Sequence, residues 1–113
     1  MTAKRVVFQG SSLADLRAFP QIARHKAGYQ IDRVQKGLEP NDFKPISNVG
    51  KSVYEIRVEV SSGAFRVIYI ANFESVVYVL HCFQKKTQKT AKRDIELAKN
   101  RYRALRKECE GEK

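Results

Sequence analysis

The segment from His81 to Arg93 contains the side chains of this sequence that are best suited to chemistry on a phosphate. It holds five lysines or arginines, one histidine and no acid. Lysine and arginine neutralise phosphate charge, and histidine has the ordinary pKa that lies nearest neutrality. RNA brings its own nucleophile, the 2′-hydroxyl, so its cleavage needs only proton transfer and neutralisation of the developing charge. The segment therefore predicts a site that binds RNA and could cut it.

The whole chain is strongly basic for its length. Its 113 residues include 22 lysines and arginines against 12 acids, a formal net charge of +10. Such an excess favours a polyanionic partner, and nucleic acid, an acidic protein and an anionic membrane surface all satisfy that rule. Nucleic acid is our first expectation. The length predicts one domain, residues 1–113, with a single core.

Cysteine usage and hydropathy exclude several other classes of protein. Cys82 and Cys109 form no CxxC pair and lie in no cluster of metal ligands, so we expect reduced cysteines and neither a metal nor another cofactor. No window approaches the roughly 18 apolar residues that span a membrane, and the first ten residues lack a signal peptide. We therefore expect a soluble, cytoplasmic protein without a membrane partner.

The N-terminal residues predict a strand followed by a short helix. Residues 5–9 are β-prone. Ser12 and Asp15 then form a capping signal, and Pro20 stops the helix or starts the next one.

A second helix and a loop follow. From Ala23 to Leu38 the apolar positions recur at spacings of four, four, three and four, which indicates one buried helix face running to about Lys36. Residues 39–52 are rich in Pro, Asn, Gly and Ser and predict a loop. Two basic residues of this loop could border a site, Lys44 and Lys51.

The second half of the chain predicts three strands and a helix. Residues 53–60 alternate apolar and polar side chains, and two more β-prone runs, 64–73 and 76–84, follow after short turns. Strands joined in this way form an antiparallel meander. Thr90 is a suitable N-cap for the last helix, and residues 107–113 are expected to fray. The apolar stripe of that helix consists of Ile95, Ala98, Tyr102 and Leu105.

These elements define an α+β fold with the order β-α-α-β-β-β-α. The first two helices are expected to pack on one face of the antiparallel meander, with the C-terminal helix following the last strand.

The turns predict which side chains share a face of the sheet. A two-residue turn at positions 62–63 places Arg57 opposite Ile68, and the next short turn places Arg66 opposite Phe83. The two arginines then lie on one face. That face bears Arg57, Arg66, His81, Phe83 and Lys85. The opposite face is apolar enough to be the helix-covered core and bears Tyr54, Ile56, Val58, Phe65, Val67, Tyr69, Val76, Tyr78 and Leu80.

The basic face suits a single-stranded nucleic acid. Its arginines and lysines can bind phosphate, while Phe83 can stack on a base and His81 can transfer a proton. A second set of basic residues would extend the RNA contact: Lys51, Lys89, Lys92 and Arg93.

Each assignment has a structural alternative. Arg57 could be held in a salt bridge by Glu55, Glu59 or a partner protein, and Arg66 could pair with Glu59, which the predicted register places directly opposite it. His81 could be a buried strand histidine. Phe83 belongs to the core if the register is wrong by one residue. The lysine run could simply be solvated.

Several segments are also familiar as sequences. The strings "GYQIDRVQKGLEPNDFKPI", "VYEIRV", "FRVIYI" and "VYVLHCFQKKTQKTAKRDIELAKNRY" resemble the phage-derived, HigB-like branch of the RelE-type toxins. The resemblance runs from about Arg24 to Arg106, and its most specific part is Leu80 to Arg101.

The resemblance implies the toxin of a type II toxin–antitoxin pair. Relatives cleave mRNA, commonly in the ribosomal A site, and are suppressed by an antitoxin that is typically a helix-turn-helix protein. For this chain we expect an endoribonuclease that needs no metal. Arg66 matches the family's strand arginine, and Lys85 and Lys86 match the basic residues after its last strand; these positions contact the scissile phosphate. Tyr102 lies on the apolar stripe, unlike the catalytic tyrosine of several relatives, so proton transfer would fall to His81 or Lys85.

Two other functions remain open within this resemblance. A ParE-like relative would inhibit DNA gyrase by binding it and would have no nuclease chemistry. A degenerate relative would bind only RNA or its antitoxin.

Overall fold

Five strands and three helices make up the fold. The computed structural model describes residues 3–73 and 75–111, apart from the side chains at positions 72, 73 and 109–111. In chain order the elements are β1 (Arg5–Phe8), α1 (Ser12–Arg17), α2 (Gln21–Gln35), β2 (Phe43–Pro45), β3 (Val53–Val60), β4 (Gly63–Phe73), β5 (Val76–Lys85) and α3 (Lys92–Gly111).

The sheet is mixed and has the strand order β1-β5-β4-β3-β2. Its centre is the predicted antiparallel meander of β3, β4 and β5, which is confirmed. Two edge strands extend it: β1 pairs parallel to β5, and β2 pairs antiparallel to β3. The predicted loop 39–52 therefore contains a strand. That strand has only three residues, too few for an alternating pattern to be recognised.

The register between β3 and β4 differs from the prediction by two residues. Val60 pairs with Gly63, so the turn residues are 61 and 62, and Arg57 lies opposite Arg66 rather than Ile68. A shift of two keeps every side chain on its predicted face, because side chains alternate with a period of two. Between β4 and β5 the predicted pairing of Arg66 with Phe83 is confirmed.

A β-bulge in β5 changes the faces of its first half. Ile68 pairs with His81 but Tyr69 pairs with Val79, so Leu80 is an extra residue on β5. One extra residue reverses which side chains face which side. Tyr78 and Leu80, predicted on the face of Ile56 and Val67, therefore lie on the other face, and their place is taken by Val77 and Val79.

Helices cover both faces of the sheet. Side chains of α1 and α2 form one core with the sheet: Leu16, Phe19, Ala23, Ala27, Ile31, Val34, Ile56, Val58, Phe65, Val67, Tyr69, Val77, Val79 and Cys82. The α3 stripe predicted from the sequence packs on the opposite face, where Ala98 and Leu105 are buried and Ile95 and Tyr102 are partly buried. Part of the face predicted to be an open basic strip is therefore a second core.

The helix ends differ in detail from the sequence signals. Ser11, not Ser12, precedes α1, and the Ser11 hydroxyl donates to Asp15 Oδ2 at 2.8 Å. Ser12 is buried and its hydroxyl donates to the Val79 carbonyl at 3.2 Å. Pro20 immediately precedes α2, as the sequence predicts. Leu38, predicted on the buried face of that helix, is 50% exposed.

The last helix begins at Lys92, two residues after the predicted cap Thr90, and extends to Gly111. It therefore includes residues 107–111, which the sequence predicted to fray; residues 112 and 113 lie outside the described part. In the described part, no helix has the length and apolar character needed to cross a membrane.

Candidate functional site

A cavity of about 390 Å³ opens where β2, the end of β5 and the segment before α3 meet. Three lysines line it, Lys44 from β2, Lys85 from the end of β5 and Lys89 from the following segment, and Glu55 forms part of its wall. We call this cavity the lysine pocket. Strand pairing explains the arrangement, because Lys44 lies directly opposite Glu55 in the β2–β3 ladder.

Glu55 is the unusual member of the lysine pocket. Its side chain is 0% exposed, and neither carboxylate oxygen has a hydrogen-bond donor among the described residues. The nearest positive charges are Arg66 Nε at 3.7 Å and Lys44 Nζ at 3.8 Å from Oε1. A buried carboxylate is costly unless it is paired and hydrogen-bonded. Glu55 thus has charge partners but no hydrogen bond among the described residues, although it lies in the wall of the lysine pocket.

Arg66 lies behind the lysine pocket rather than in its wall. Its side chain is 6% exposed, its Nη2 is 3.0 Å from Glu59 Oε1, and its Nη1 donates to the Phe65 carbonyl at 3.0 Å. The predicted directly opposed pairing of Arg66 with Glu59 is wrong, since the contact runs diagonally across the strands. With Glu55 and Glu59 on either side, the guanidinium is already neutralised. The salt-bridge alternative therefore describes Arg66 in this structure.

Arg57 is also engaged in an ion pair, with a partner that the sequence did not predict. Its Nη2 is 2.8 Å from Asp42 Oδ1, and its Nε donates to the same oxygen at 2.9 Å. Asp42 comes from the segment before β2, which pairing with β3 brings alongside Arg57. The predicted phosphate contact at Arg57 would compete with this carboxylate.

His81 is buried beneath α3. It is 5% exposed, its Nε2 is 2.7 Å from Asp94 Oδ1, and its ring stacks on Phe83 at 4.8 Å between centroids. Burial lowers the pKa of His81, although the hydrogen bond that its ring donates to Asp94 opposes part of that effect. The imidazole therefore ties the first turn of α3 to the sheet and favours its neutral form.

Phe83 is buried as well, with 8% of its surface exposed, and belongs to the core beneath α3. The expected stacking of Phe83 on a base does not fit this burial. His81 and Phe83 line a separate cavity of about 320 Å³, to which Arg93 and Asp94 also contribute. They are not part of the wall of the lysine pocket.

The remaining predicted site residues are exposed and lie outside the lysine pocket. They are Lys51, Lys86, Lys92 and Arg93. Of the predicted set, the structure thus brings together Lys85 and Lys89. It adds Lys44, which the sequence placed near a possible site, and Glu55, which the sequence treated only as a salt-bridge partner. The signal for Glu55 was the strand alternation that puts it on the same face as Arg57.

Tyr102 packs on the loop before β3. Its hydroxyl donates to the Lys51 carbonyl at 3.4 Å, and its ring lies against Gly50, where a Cβ would come within 2.5 Å of it. This placement agrees with its position on the apolar stripe of α3.

Among the described residues, no group of three or more His, Cys, Asp and Glu side chains is placed to hold a metal ion. The thiol of Cys82 is 1% exposed, and burial raises its pKa to about 12, so it is unreactive at neutral pH. The side chain of Cys109 lies outside the described part.

Comparisons with known proteins assign both a family and a fold. Residues 14–103 match the family described as phage-derived protein Gp49-like. The structure is similar to that of a mutant of the Escherichia coli toxin RelE in the free state, with a TM-score of 0.62 and 16% sequence identity over 83% of this chain and 96% of that one. No curated protein matches the chain in sequence.

Proposed function

Since the chain belongs to the Gp49-like family of phage-derived proteins, we propose that it is the toxin of a type II toxin–antitoxin pair and an endoribonuclease of the HigB-like branch. Its partners would be a cognate antitoxin, typically a helix-turn-helix protein, and mRNA on the ribosome in the cytoplasm. The RelE-like fold supports the toxin class. The sequence resemblance between Leu80 and Arg101 supports the branch.

The lysine pocket is the observation that carries the nuclease proposal. Three lysines and one glutamate line it, which leaves an excess of positive charge in a cavity of about 390 Å³. A phosphodiester is the ligand that such a pocket suits, because lysine is a compact point charge that binds phosphate from several directions. The chemistry asks for no metal ion, since the lysines supply the positive charge.

In the proposed reaction Glu55 takes the proton of the substrate 2′-hydroxyl, the 2′-oxygen attacks the adjacent phosphorus, and the 5′-oxygen of the next nucleotide leaves with a proton donated by Lys85. The products are a 2′,3′-cyclic phosphate and a 5′-hydroxyl. Lys85 and Lys89 neutralise the charge that develops on the non-bridging oxygens. In other enzymes the loss of one such donor lowers kcat by about 10²–10³-fold.

Glu55 replaces His81 as our candidate for the proton acceptor. The Nε2 of His81 is already engaged by Asp94 Oδ1, whereas neither carboxylate oxygen of Glu55 has a hydrogen-bond donor among the described residues and Glu55 lies in the wall of the lysine pocket. Glu55 is 0% exposed, so the substrate reaches it only when Lys44 moves aside. Lys44 covers it with a side chain that is 48% exposed and has room to turn toward a phosphate. Arg66 is a positioning residue in this scheme, because it fixes Glu55 and does not touch the substrate.

The ribosome would hold the RNA strand in the orientation that the lysine pocket alone does not impose. A flexible lysine cluster orients a free strand poorly, and orientation accounts for a large part of the rate of such reactions. We therefore expect efficient cleavage of mRNA that the ribosome holds and weak cleavage of free RNA. The exposed Lys51, Lys86, Lys92 and Arg93 would contribute to binding the surrounding RNA.

The test is induced expression without antitoxin, followed by mapping of new RNA 5′ ends. Wild type should produce cuts within translated frames, and Lys85→Ala should abolish most of them. Lys107→Ala, which removes an exposed lysine of α3, is the matched control and should cut like wild type. Growth arrest without new RNA ends would contradict the nuclease and favour a gyrase inhibitor or a protein that only binds.

A further inference from the structure

The outer side of α2 exposes apolar side chains that the fold does not use. Ile22 is 61% exposed and Tyr29 is 55% exposed. They are seven residues apart, so they lie on the same side of the helix two turns from each other. His25 and Gly28 are exposed between them. We call these four residues the α2 surface.

Gly28 is the second observation. It lies in the middle of α2, where glycine weakens a helix relative to alanine. A Cβ at this position would meet nothing within 4 Å, and its φ lies outside the left-handed region. Nothing in the described structure therefore requires glycine here. A missing side chain at an exposed helix position does allow another backbone to approach closely.

A hollow of about 510 Å³ adjoins the α2 surface. Tyr29 and Lys26 of α2 line one side of it and Val58 of β3 lines another. At its rim the carboxylates of Asp42 and Glu59 lie close to Arg57 and Arg66 respectively. Because arginines neutralise both carboxylates, the hollow can take an apolar side chain.

The charge along α2 itself is positive, and the two carboxylates at the rim of the hollow are already paired with arginines. Between Asp15 and Asp32 the sequence has no acid, while three basic residues fall in that interval: Arg17, Arg24 and Lys26. A partner with acidic residues beside its apolar ones would be complementary to this surface. A second copy of this basic chain would not, since it would bring the same charge.

We propose that the α2 surface is the docking site for an acidic amphipathic helix of the cognate antitoxin. The helix backbone approaches at Gly28, and one of its apolar side chains enters the hollow beside Tyr29. This rests on the toxin–antitoxin assignment but not on the nuclease chemistry. RNA fits less well, because the most exposed side chains of this surface, Ile22 and Tyr29, are apolar.

The docking site lies on the opposite side of the sheet from the lysine pocket. The α2 helix packs on the face that carries Ile56 and Val67, whereas the pocket adjoins the face that α3 covers. Substitutions on the α2 surface should therefore change antitoxin affinity without changing the pocket.

The decisive variant is Gly28→Leu, because it adds bulk where the fold has open space. We would titrate the purified chain with the purified protein encoded beside it, by calorimetry at fixed salt, and measure thermal unfolding of each variant. Gly28→Leu should unfold at the wild-type temperature or above it, yet weaken binding by at least about tenfold. Tyr29→Ala should weaken binding by a similar factor. Leu97→Ala, at an apolar α3 residue that is 36% exposed, should bind like wild type.

Affinities within about twofold of wild type for both α2 variants would overturn the proposal. So would weaker binding of a 30-nucleotide single-stranded RNA by Gly28→Leu with antitoxin affinity unchanged, which would make the α2 surface an RNA contact. If wild type does not bind the neighbouring protein at all, the toxin–antitoxin assignment fails and the docking site fails with it. If the chain does not cleave RNA, the nuclease proposal fails but the affinity comparison still tests the docking site.

Discussion

Replacing Arg66 with methionine should destabilise the fold strongly, whatever Arg66 does in catalysis. The substitution removes the cation 3.7 Å from the buried Glu55 carboxylate and leaves Lys44, which is 48% exposed, as its nearest positive charge. Removing one partner of a buried ion pair costs about 3–5 kcal/mol, because the other charge stays buried and uncompensated. The contact with Glu59, which is 58% exposed, should add no more than about 1 kcal/mol.

We therefore expect Arg66→Met to lower the free energy of unfolding by about 4 kcal/mol. A domain of this size has about 5–15 kcal/mol in total. The variant should thus fold but with little margin at 37 °C. Urea unfolding followed by circular dichroism measures this directly, and an unchanged m-value would show that the denatured state is the same.

The double variant Glu55→Leu/Arg66→Met tests the cause. It removes both charges, so it should recover at least about 2 kcal/mol relative to Arg66→Met, because no uncompensated charge remains. A loss below about 1 kcal/mol for Arg66→Met, or a double variant no more stable than the single one, would refute the buried-pair explanation. If this explanation is confirmed, a loss of toxicity on substituting Arg66 is no evidence that Arg66 contacts a phosphate.

Three further outcomes follow from the contacts of α3. Burial lowers the pKa of His81, so the unfolded chain binds a proton more readily than the folded one. The stability that depends on a neutral His81 is therefore present above pH about 6.5 and is lost as the pH falls through the lower pKa of the folded state. The unfolding temperature of His81→Phe should therefore fall less between pH 7 and pH 5 than that of wild type, and an equal fall would contradict this. Gly50→Ala should destabilise the fold, because the new Cβ would come within 2.5 Å of the Tyr102 ring. Tyr102→Phe should change the free energy of unfolding by less than about 0.5 kcal/mol, since the hydroxyl makes a long 3.4 Å hydrogen bond to the Lys51 carbonyl. The variant should also cut RNA at the wild-type rate. A large loss of cleavage rate would make Tyr102 catalytic.

The sequence predicts the elements that have a local pattern of sufficient length. Alternation over residues 53–60 and the helical spacing from Ala23 identify β3 and α2, and the α3 stripe is confirmed residue by residue. The three-residue β2 and the parallel pairing of β1 have no such pattern. Parallel pairing joins residues more than sixty positions apart, from Arg5 with Val76 onward, and local sequence does not carry that information.

The candidate site was predicted less well for the same reason. Whether His81 and Phe83 face solvent depends on where α3 packs, and alternation within β5 does not contain that fact. The extra residue Leu80 changes the faces of half a strand without any glycine or proline to mark it. Glu55 was expected only as a salt-bridge partner of Arg57, because the strand β2 that pairs beside it and brings Lys44 opposite it was not predicted.

The central claim is that the lysine pocket cleaves RNA through the 2′-hydroxyl. The most direct measurement supplies purified chain with translating ribosomes on a defined mRNA and quantifies 2′,3′-cyclic phosphate ends over time. We expect such ends with wild type and Lys107→Ala, and an initial rate lower by at least about 100-fold with Lys85→Ala or Glu55→Gln, each assayed at a temperature at which circular dichroism shows the variant to be folded. The claim would be contradicted if wild type produced no cyclic phosphate ends, or if Lys85→Ala and Glu55→Gln both cut at the wild-type rate.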